Sequence, residues 1–424
     1  MGLRVLLSLG LCVSNQEKSN FVACLSIAAL ALPGLMQTAV AGRTEESYNA
    51  DFQYGHYSES SSRIDVNTYE GALSAPIGRS MTASVALVKD IVAGASPRYN
   101  DYDSKGNVRQ VLSGQNVSGA LVSGASPVNS QCGKSICDSR DGISPSLTYF
   151  FDSGSINLNG GFSRENDYTS RYVGTTISKD FNKKLTTANF GVSLAFDEID
   201  PTNRPTLRGS KTSQQYLLGV SQIINKDSLI LSNVTFGYNT GYLSDPYKLV
   251  YFSFDDGSFD FRRDTRPREK FQFAWLTQYI RHFGELNDAA LHIDYRFSTD
   301  SWGVNAHTAE ASWHQPVGDG WQIIPRVRYY SQDQADFYTV VGDGNALQKG
   351  VYSSDYRLAG FGAVTAGIHV SKEFTELKPL SHLKFQVGGE YYNHSAGLQL
   401  GGNSASNFAD FNYFLITGSF NMRF

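Results

Sequence analysis

Charge is scarce in this 424-residue chain. Asp, Glu, Lys and Arg make up 18% of it, against about 25% in ordinary soluble domains. Basic excess is missing too: the net charge is −4. Nucleic-acid binders carry a basic stripe, so no nucleic-acid partner is expected. Beyond the N-terminal region no apolar run approaches the ~18 residues that a membrane helix needs, and the mean hydropathy is −0.28. A bundle of membrane helices is therefore excluded. Methionine (4), cysteine (4) and proline (12) are few, whereas Gly (40), Tyr (24) and Phe (26) are plentiful. Disordered chains are poor in aromatics and rich in charge, so disorder is excluded as well.

Residues 1–41 read as an export signal. Arg4 and Lys18 precede an apolar run from Phe21 to Met36, which Pro33-Gly34 interrupts. The run leads to Ala39-Val40-Ala41, a small-x-small cleavage pattern. Residues 42–424 would be the mature chain. Cys12 and Cys24 leave with the signal, and Cys132 and Cys137 remain, with four residues between them. In an oxidising compartment such a pair closes a small disulfide ring. No other Cys or His lies close enough in sequence for a zinc-type site, so no metal and no cofactor is expected.

Period-2 alternation recurs after residue 41, as in strands with two chemically different faces. Tyr48, Ala50, Phe52 and Tyr54 alternate with Asn49, Asp51 and Gln53. Leu291, Ile293, Tyr295 and Phe297 alternate with His292, Asp294 and Arg296. Leu383, Phe385, Val387 and Tyr391 alternate with Lys384, Gln386 and Glu390. Sixteen candidate strands follow, beginning near 46, 62, 80, 143, 154, 168, 185, 212, 228, 268, 288, 303, 321, 353, 380 and 408. Every second connection is short, as at Asp152-Ser-Gly154 and Asn182-Lys-Lys184, while the alternate ones include long segments near 93–142, 242–267 and 335–352. Short turns at one end and long loops at the other are the pattern of a bacterial outer-membrane barrel. The expected fold is all-β, a transmembrane antiparallel up-and-down β-barrel of about sixteen strands without a separate plug domain. Such a wall must close on itself, because lipid offers the backbone no hydrogen-bond partners. The expected location is the bacterial outer membrane.

The chain stops on Phe424, with Phe420 and Met422 at alternate positions before it. This ending is similar to the C-terminal signal of outer-membrane barrels, and it implies the barrel assembly machinery and outer-membrane lipid as partners.

Charges opposite the apolar faces should point into the lumen, since a charge facing lipid near the midplane costs a few kcal/mol. The candidates are His292, Asp294, Arg296, Glu310, His314, Arg326, Arg328, Arg357, His369, Lys384 and Glu390. Two readings stand side by side: an ion-pair network that fills the lumen, and a charged constriction that selects solutes. Catalysis finds little support, for no Ser–His pair is evident on neighbouring strands and His307 beside Thr308 is not one. Asp255-Asp-Gly257 with Asp260 lacks the ligand order of a calcium loop and reads as a solvated acidic turn. The chain is expected not to be an enzyme.

Several strings together resemble a family of bacterial outer-membrane proteins of unknown function. They include Asp90-Ile-Val-Ala-Gly94-Ala-Ser-Pro97, Gly241-Tyr-Leu-Ser-Asp245-Pro246-Tyr247-Lys248 and Arg266-Pro-Arg-Glu-Lys-Phe271. Tyr295-Arg-Phe-Ser-Thr-Asp-Ser-Trp-Gly303, Pro325-Arg-Val-Arg-Tyr-Tyr-Ser-Gln332 and Ser353-Ser-Asp-Tyr-Arg357 extend the match. The resemblance implies a barrel with no assigned catalytic residues. It also implies a link to an exported redox or metal-handling partner, because genes of the family group with thioredoxin-like and flavin-transferase genes. The loop strings have an architectural reading as well: Gly and Pro end pairing, and Asp caps turns. The functional expectation is a channel or conduit with a charged lumen, with a scaffold for that exported partner as the alternative and an outer-membrane hydrolase as a second.

Overall fold

The computed structural model describes residues 47–60, 64–94, 97–112, 116–117, 120–121, 136–202, 204–375, 377, 379–401 and 410–424. Sixteen antiparallel strands close into one barrel. They are β1 (Asn49–Glu59), β2 (Ile64–Ile77), β3 (Met81–Gly94), β4 (Ile136–Phe151), β5 (Gly154–Arg164), β6 (Tyr168–Phe181), β7 (Thr186–Ile199) and β8 (Gly209–Asn225). The wall continues through β9 (Ser228–Gly241), β10 (Glu269–Phe283), β11 (Ala289–Asp300), β12 (Asn305–Gly318), β13 (Trp321–Gln332), β14 (Phe361–Thr375), β15 (His382–Ser395) and β16 (Phe411–Arg423). Each strand pairs with the next in sequence, and β16 returns to pair with β1, setting Phe52 opposite Phe420 and Asn49 opposite Arg423. The export-signal segment 1–41 and Cys132 lie outside the described residues.

Alternation builds the wall. The outward faces carry exposed Leu73, Leu87, Leu158, Val173, Leu218, Ile293, Val327, Ile368, Val387 and Ile416. Aromatics gather toward both strand ends. Phe151, Phe181, Trp321, Phe374 and Phe385 lie near the short turns, and Phe162, Phe196, Phe236, Tyr391 and Phe414 nearer the long loops. These are the two girdles expected at membrane interfaces. Short turns reverse the chain through left-handed residues, including Asn182, Lys183 and Lys184 and later Asn287 and Asp288. Asn and Asp tolerate that region better than most.

The expected strand starts match the wall closely, with two displacements. The fourth strand begins at Ile136 rather than near 143, and the fourteenth at Phe361 rather than near 353. Residues 353–360 instead belong to a loop folded into the barrel mouth. There Phe337, Tyr356, Leu358 and Ala359 form one buried cluster with Tyr57, Val66, Tyr392, Tyr413 and Leu415 from the wall. Apolar residues in a strand-like string had found their burial inside the lumen, not in the ladder. The Gln332 amide at the end of β13 donates to the carbonyls of Arg357 (3.0 Å) and Ala359 (2.7 Å), and Asp336 N–H donates to the Trp302 carbonyl (2.9 Å).

Candidate functional site

The inward faces of β11–β15 bring most of the expected lumen charges together. Cross-strand register aligns Asp294 with Glu310, Glu310 with Arg328, and Gly367 with Glu390. Arg326 grips Glu310 with two bonds (2.6 and 2.9 Å) and reaches Glu390 with a third nitrogen (2.5 Å). Arg328 Nε donates to Glu310 Oε2 (2.6 Å), the oxygen that Arg326 Nη2 also bonds. His369 Nε2 stands 3.0 Å from the same Glu390 oxygen. The forked guanidinium suits such bidentate contacts. Two glycines make room for this chain of contacts. A Cβ on Gly388 would lie 2.0 Å from the His369 ring, and one on Gly367 would lie 2.6 Å from Glu390 Cγ.

Nearer the short turns, the His292 and His314 rings stack at 4.2 Å. Ser312 Oγ lies 3.2 Å from His314 Nε2, a Ser–His contact within one strand that the sequence reading had not picked out. His307 faces the opposite side of β12, where its Nδ1 meets the Tyr295 hydroxyl at 2.8 Å. His307 and His314 thus face opposite sides of the wall. Lys384 stands in register with Glu373.

Arg357 reaches the lumen by another route. It stands on the infolded loop, in the short turn Tyr356–Leu358, and not on a strand. Its guanidinium bonds Asp245 (2.9 Å) and Asp355 (2.8 Å from Nε). Arg266 joins Asp355 (2.8 Å) to Asp264 (2.7 Å), and Asp264 accepts the Asp245 N–H (2.7 Å). The family-string residues Asp245 and Arg266 therefore form one buried knot tying loop 242–268 to loop 333–360. Burial alone would raise the carboxyls of Asp245 and Asp355. Arg357, Lys248 and Arg266 outweigh it and hold both below the usual carboxylate range, Asp355 far below. At Asp264 burial wins, helped by Asp245, and that carboxyl is raised.

The other string residues fasten the same structure. Lys248 is buried with its ammonium 5.4 Å from the Tyr356 ring centre. Pro246 precedes Tyr247, whose hydroxyl bonds Asp167 on one neighbouring loop and receives the Thr202 N–H (3.2 Å) of another. Asp90 on β3 pairs with Arg140 on β4 (2.6 Å). Gly94 ends β3, and Pro97 opens a hairpin of Pro97–Tyr102 with Val108–Leu112. That hairpin docks on the knot: Asn100 donates to the Ser354 carbonyl (2.9 Å), and the Tyr99 ring packs edge-on against Phe261. Asp256 of the expected acidic turn accepts the Ser258 N–H (2.9 Å), an ordinary turn contact.

Beneath the infolded loop lies a cavity of about 400 Å³. Its walls include Lys211 on β8, Lys270 on β10, Arg296 on β11, Arg328 on β13 and Trp302 from the β11–β12 connection. Lys211 pairs with Asp197 (2.8 Å), and Lys270 pairs with Asp300 (2.7 Å) beneath the Trp302 ring. Sequence reasoning missed Lys211, Lys270 and Trp302; the inward parity of the two lysines was the available signal. It also missed a half-buried trio at the rim, Asp138, Glu165 and Asp167, whose carboxylate oxygens lie within 4.8 Å of one another. Asn166 donates to Asp138 (2.8 Å).

A family model described as "Protein of unknown function (DUF3570)" matches residues 22–415. The chain belongs to the DUF3570 family. No curated protein matches it. Among solved structures, this DUF3570 chain is similar to a bacterial polysaccharide outer-membrane secretin at 6% identity and a TM-score of 0.44, covering 91% of this chain and 100% of that one. It is similar to OccAB1 of Acinetobacter baumannii at 11% identity and a TM-score of 0.41, covering 89% and 96%. CdiB of the same organism gives 8% and 0.47, covering 90% of this chain and 60% of that one.

Proposed function

We propose that this DUF3570 protein is a non-enzymatic outer-membrane channel or conduit, described here in a closed state. The short turns would face the periplasm and the long loops the exterior. The observation that carries the reading is the vertical order of the lumen. A loop folded into the mouth, held by the Asp245–Arg266–Asp355–Arg357 knot, lies above an arginine–carboxylate network on β12–β15. Sixteen strands enclose a lumen wide enough for a water channel unless side chains or loops fill it. Here the loop restricts the passage, and the charged network would sort what enters.

Reconstitution in planar bilayers tests this. The wild type is expected to conduct in small or intermittent steps, and Asp355→Ala, which unties the loop, in larger and steadier ones. Silence of both proteins at every voltage would sink the channel reading. We further propose that the Phe420–Met422–Phe424 ending is the segment read by the assembly machinery. Phe424→Asp is expected to lower the amount of barrel reaching the outer membrane, and normal amounts would refute it.

A further inference from the structure

We propose that the cavity beneath the infolded loop binds an organic oxyanion, a carboxylate or phosphate attached to an aromatic or apolar body. The inference rests on the lumen reading above and names what that lumen recognises.

Three features carry it. First, the wall is cationic at its surface. Six basic side chains line it, namely Lys211, Arg266, Lys270, Arg296, Arg328 and Arg357, against three carboxylates, Asp197, Asp245 and Asp300. The arginines also bond Glu310, Asp264 and Asp355, and these acids stand behind them and do not line the space. The anchoring carboxylates thus aim guanidinium edges at the cavity while offsetting part of their charge from behind. Second, the side bounded by the loop and β13–β16 is aromatic, with Tyr330, Tyr356, Phe361, Tyr392 and Tyr413 on the wall. An anionic head would meet the bases while its body packs on these rings. Third, about 400 Å³ falls within the range of small-molecule sites. Charge-assisted contacts to an oxyanion are strong when water is largely excluded.

The protein carries its own reporter. Of its four tryptophans only Trp302 lines the cavity, whereas Trp275, Trp313 and Trp321 stand on the outward parity of their strands. The folded barrel in detergent would be titrated with benzoate, phenyl phosphate, benzyl alcohol and inorganic phosphate while its fluorescence is followed. A saturable change with benzoate or phenyl phosphate, and none with the alcohol or the bare ion, is expected. A preference for benzoate would indicate a carboxylate solute, and one for phenyl phosphate a phosphate ester. Arg296→Gln and Lys211→Gln, checked as folded by heat-modified gel mobility, are each expected to weaken binding about tenfold.

Benzyl alcohol binding as well as benzoate would overturn the proposal, as would unchanged benzoate affinity in both variants. A response persisting in Trp302→Phe would place the probe elsewhere and overturn it too. Binding without conductance would remove the channel reading alone, and conductance without saturable binding would remove this one alone.

Discussion

The two sides of the barrel share one wall and differ in what they put inside it. From β5 to β9 the inward positions are short and uncharged for the most part: Ser155, Asn157, Thr176, Ser178, Ser193, Ser213, Asn233 and Thr235 are buried there. From β11 to β15 they are long and ionic, with Arg296, Arg328, Glu310, Glu390 and His369 buried. The outward faces do not differ in this way, since Leu158 and Leu218 on one side do the work of Ile293 and Val387 on the other. Lipid makes the same demand all round the wall, so the outward residues are interchangeable. The lumen makes no uniform demand, and there the sequence places long ionic side chains on one side and short neutral ones on the other.

Substitutions should expose that asymmetry. The largest effect is expected from Asp355→Ala, which leaves two buried guanidiniums, Arg266 and Arg357, short of a carboxylate. Breaking a buried pair from one end costs about 3–5 kcal/mol. The loss should appear as protease sensitivity of loop 333–360 while the barrel keeps its heat-modified mobility. Glu310→Ala should come next, at about 3 kcal/mol, since Arg326 and Arg328 both lean on it. Denaturant unfolding in detergent would read the change, and the matched Thr176→Ala on the opposite side should move the midpoint much less. Gly388→Ala pushes a methyl into the His369 ring and should cost about 1–3 kcal/mol. Lys89→Ala removes an exposed partner of Asp141 and should change stability by less than about 1 kcal/mol.

Acidity distinguishes loop from wall in another way. A carboxyl held below its unfolded value contributes stability above that unfolded value, and the contribution disappears as the pH falls through the depressed one. Asp245 and Asp355 are of this kind, and Asp264, raised by burial, opposes them. The loop is therefore expected to stay docked from neutrality down to about pH 4, near the ordinary carboxylate value, and to release below it. Limited proteolysis of the loop against pH measures this, and release at pH 6 would contradict the assignment.

Much of the candidate site was readable beforehand. Asp294, Arg296, Glu310, Arg326, Arg328 and Glu390 were placed in the lumen by parity alone, because a strand allows only two faces. Arg357 escaped that logic. Its segment, Ser353-Ser-Asp-Tyr-Arg357, alternates like a strand yet folds inward as a turn. Lys211 and Lys270 were overlooked because a lysine on an inward face looks the same in sequence whether it borders a cavity or fills one.

Local chemistry determined the wall. Alternation fixed which residues meet lipid, and the rhythm of short and long connections fixed the strand count, since every backbone group in a bilayer must find its partner in the next strand. Tertiary structure decided the contents of the lumen. Asp245 and Arg266 share one loop, but Asp355 lies 89 residues beyond Arg266, and only the tertiary fold brings the two loops within hydrogen-bond reach. Distance across the lumen, unlike parity along a strand, leaves no periodic trace in the sequence.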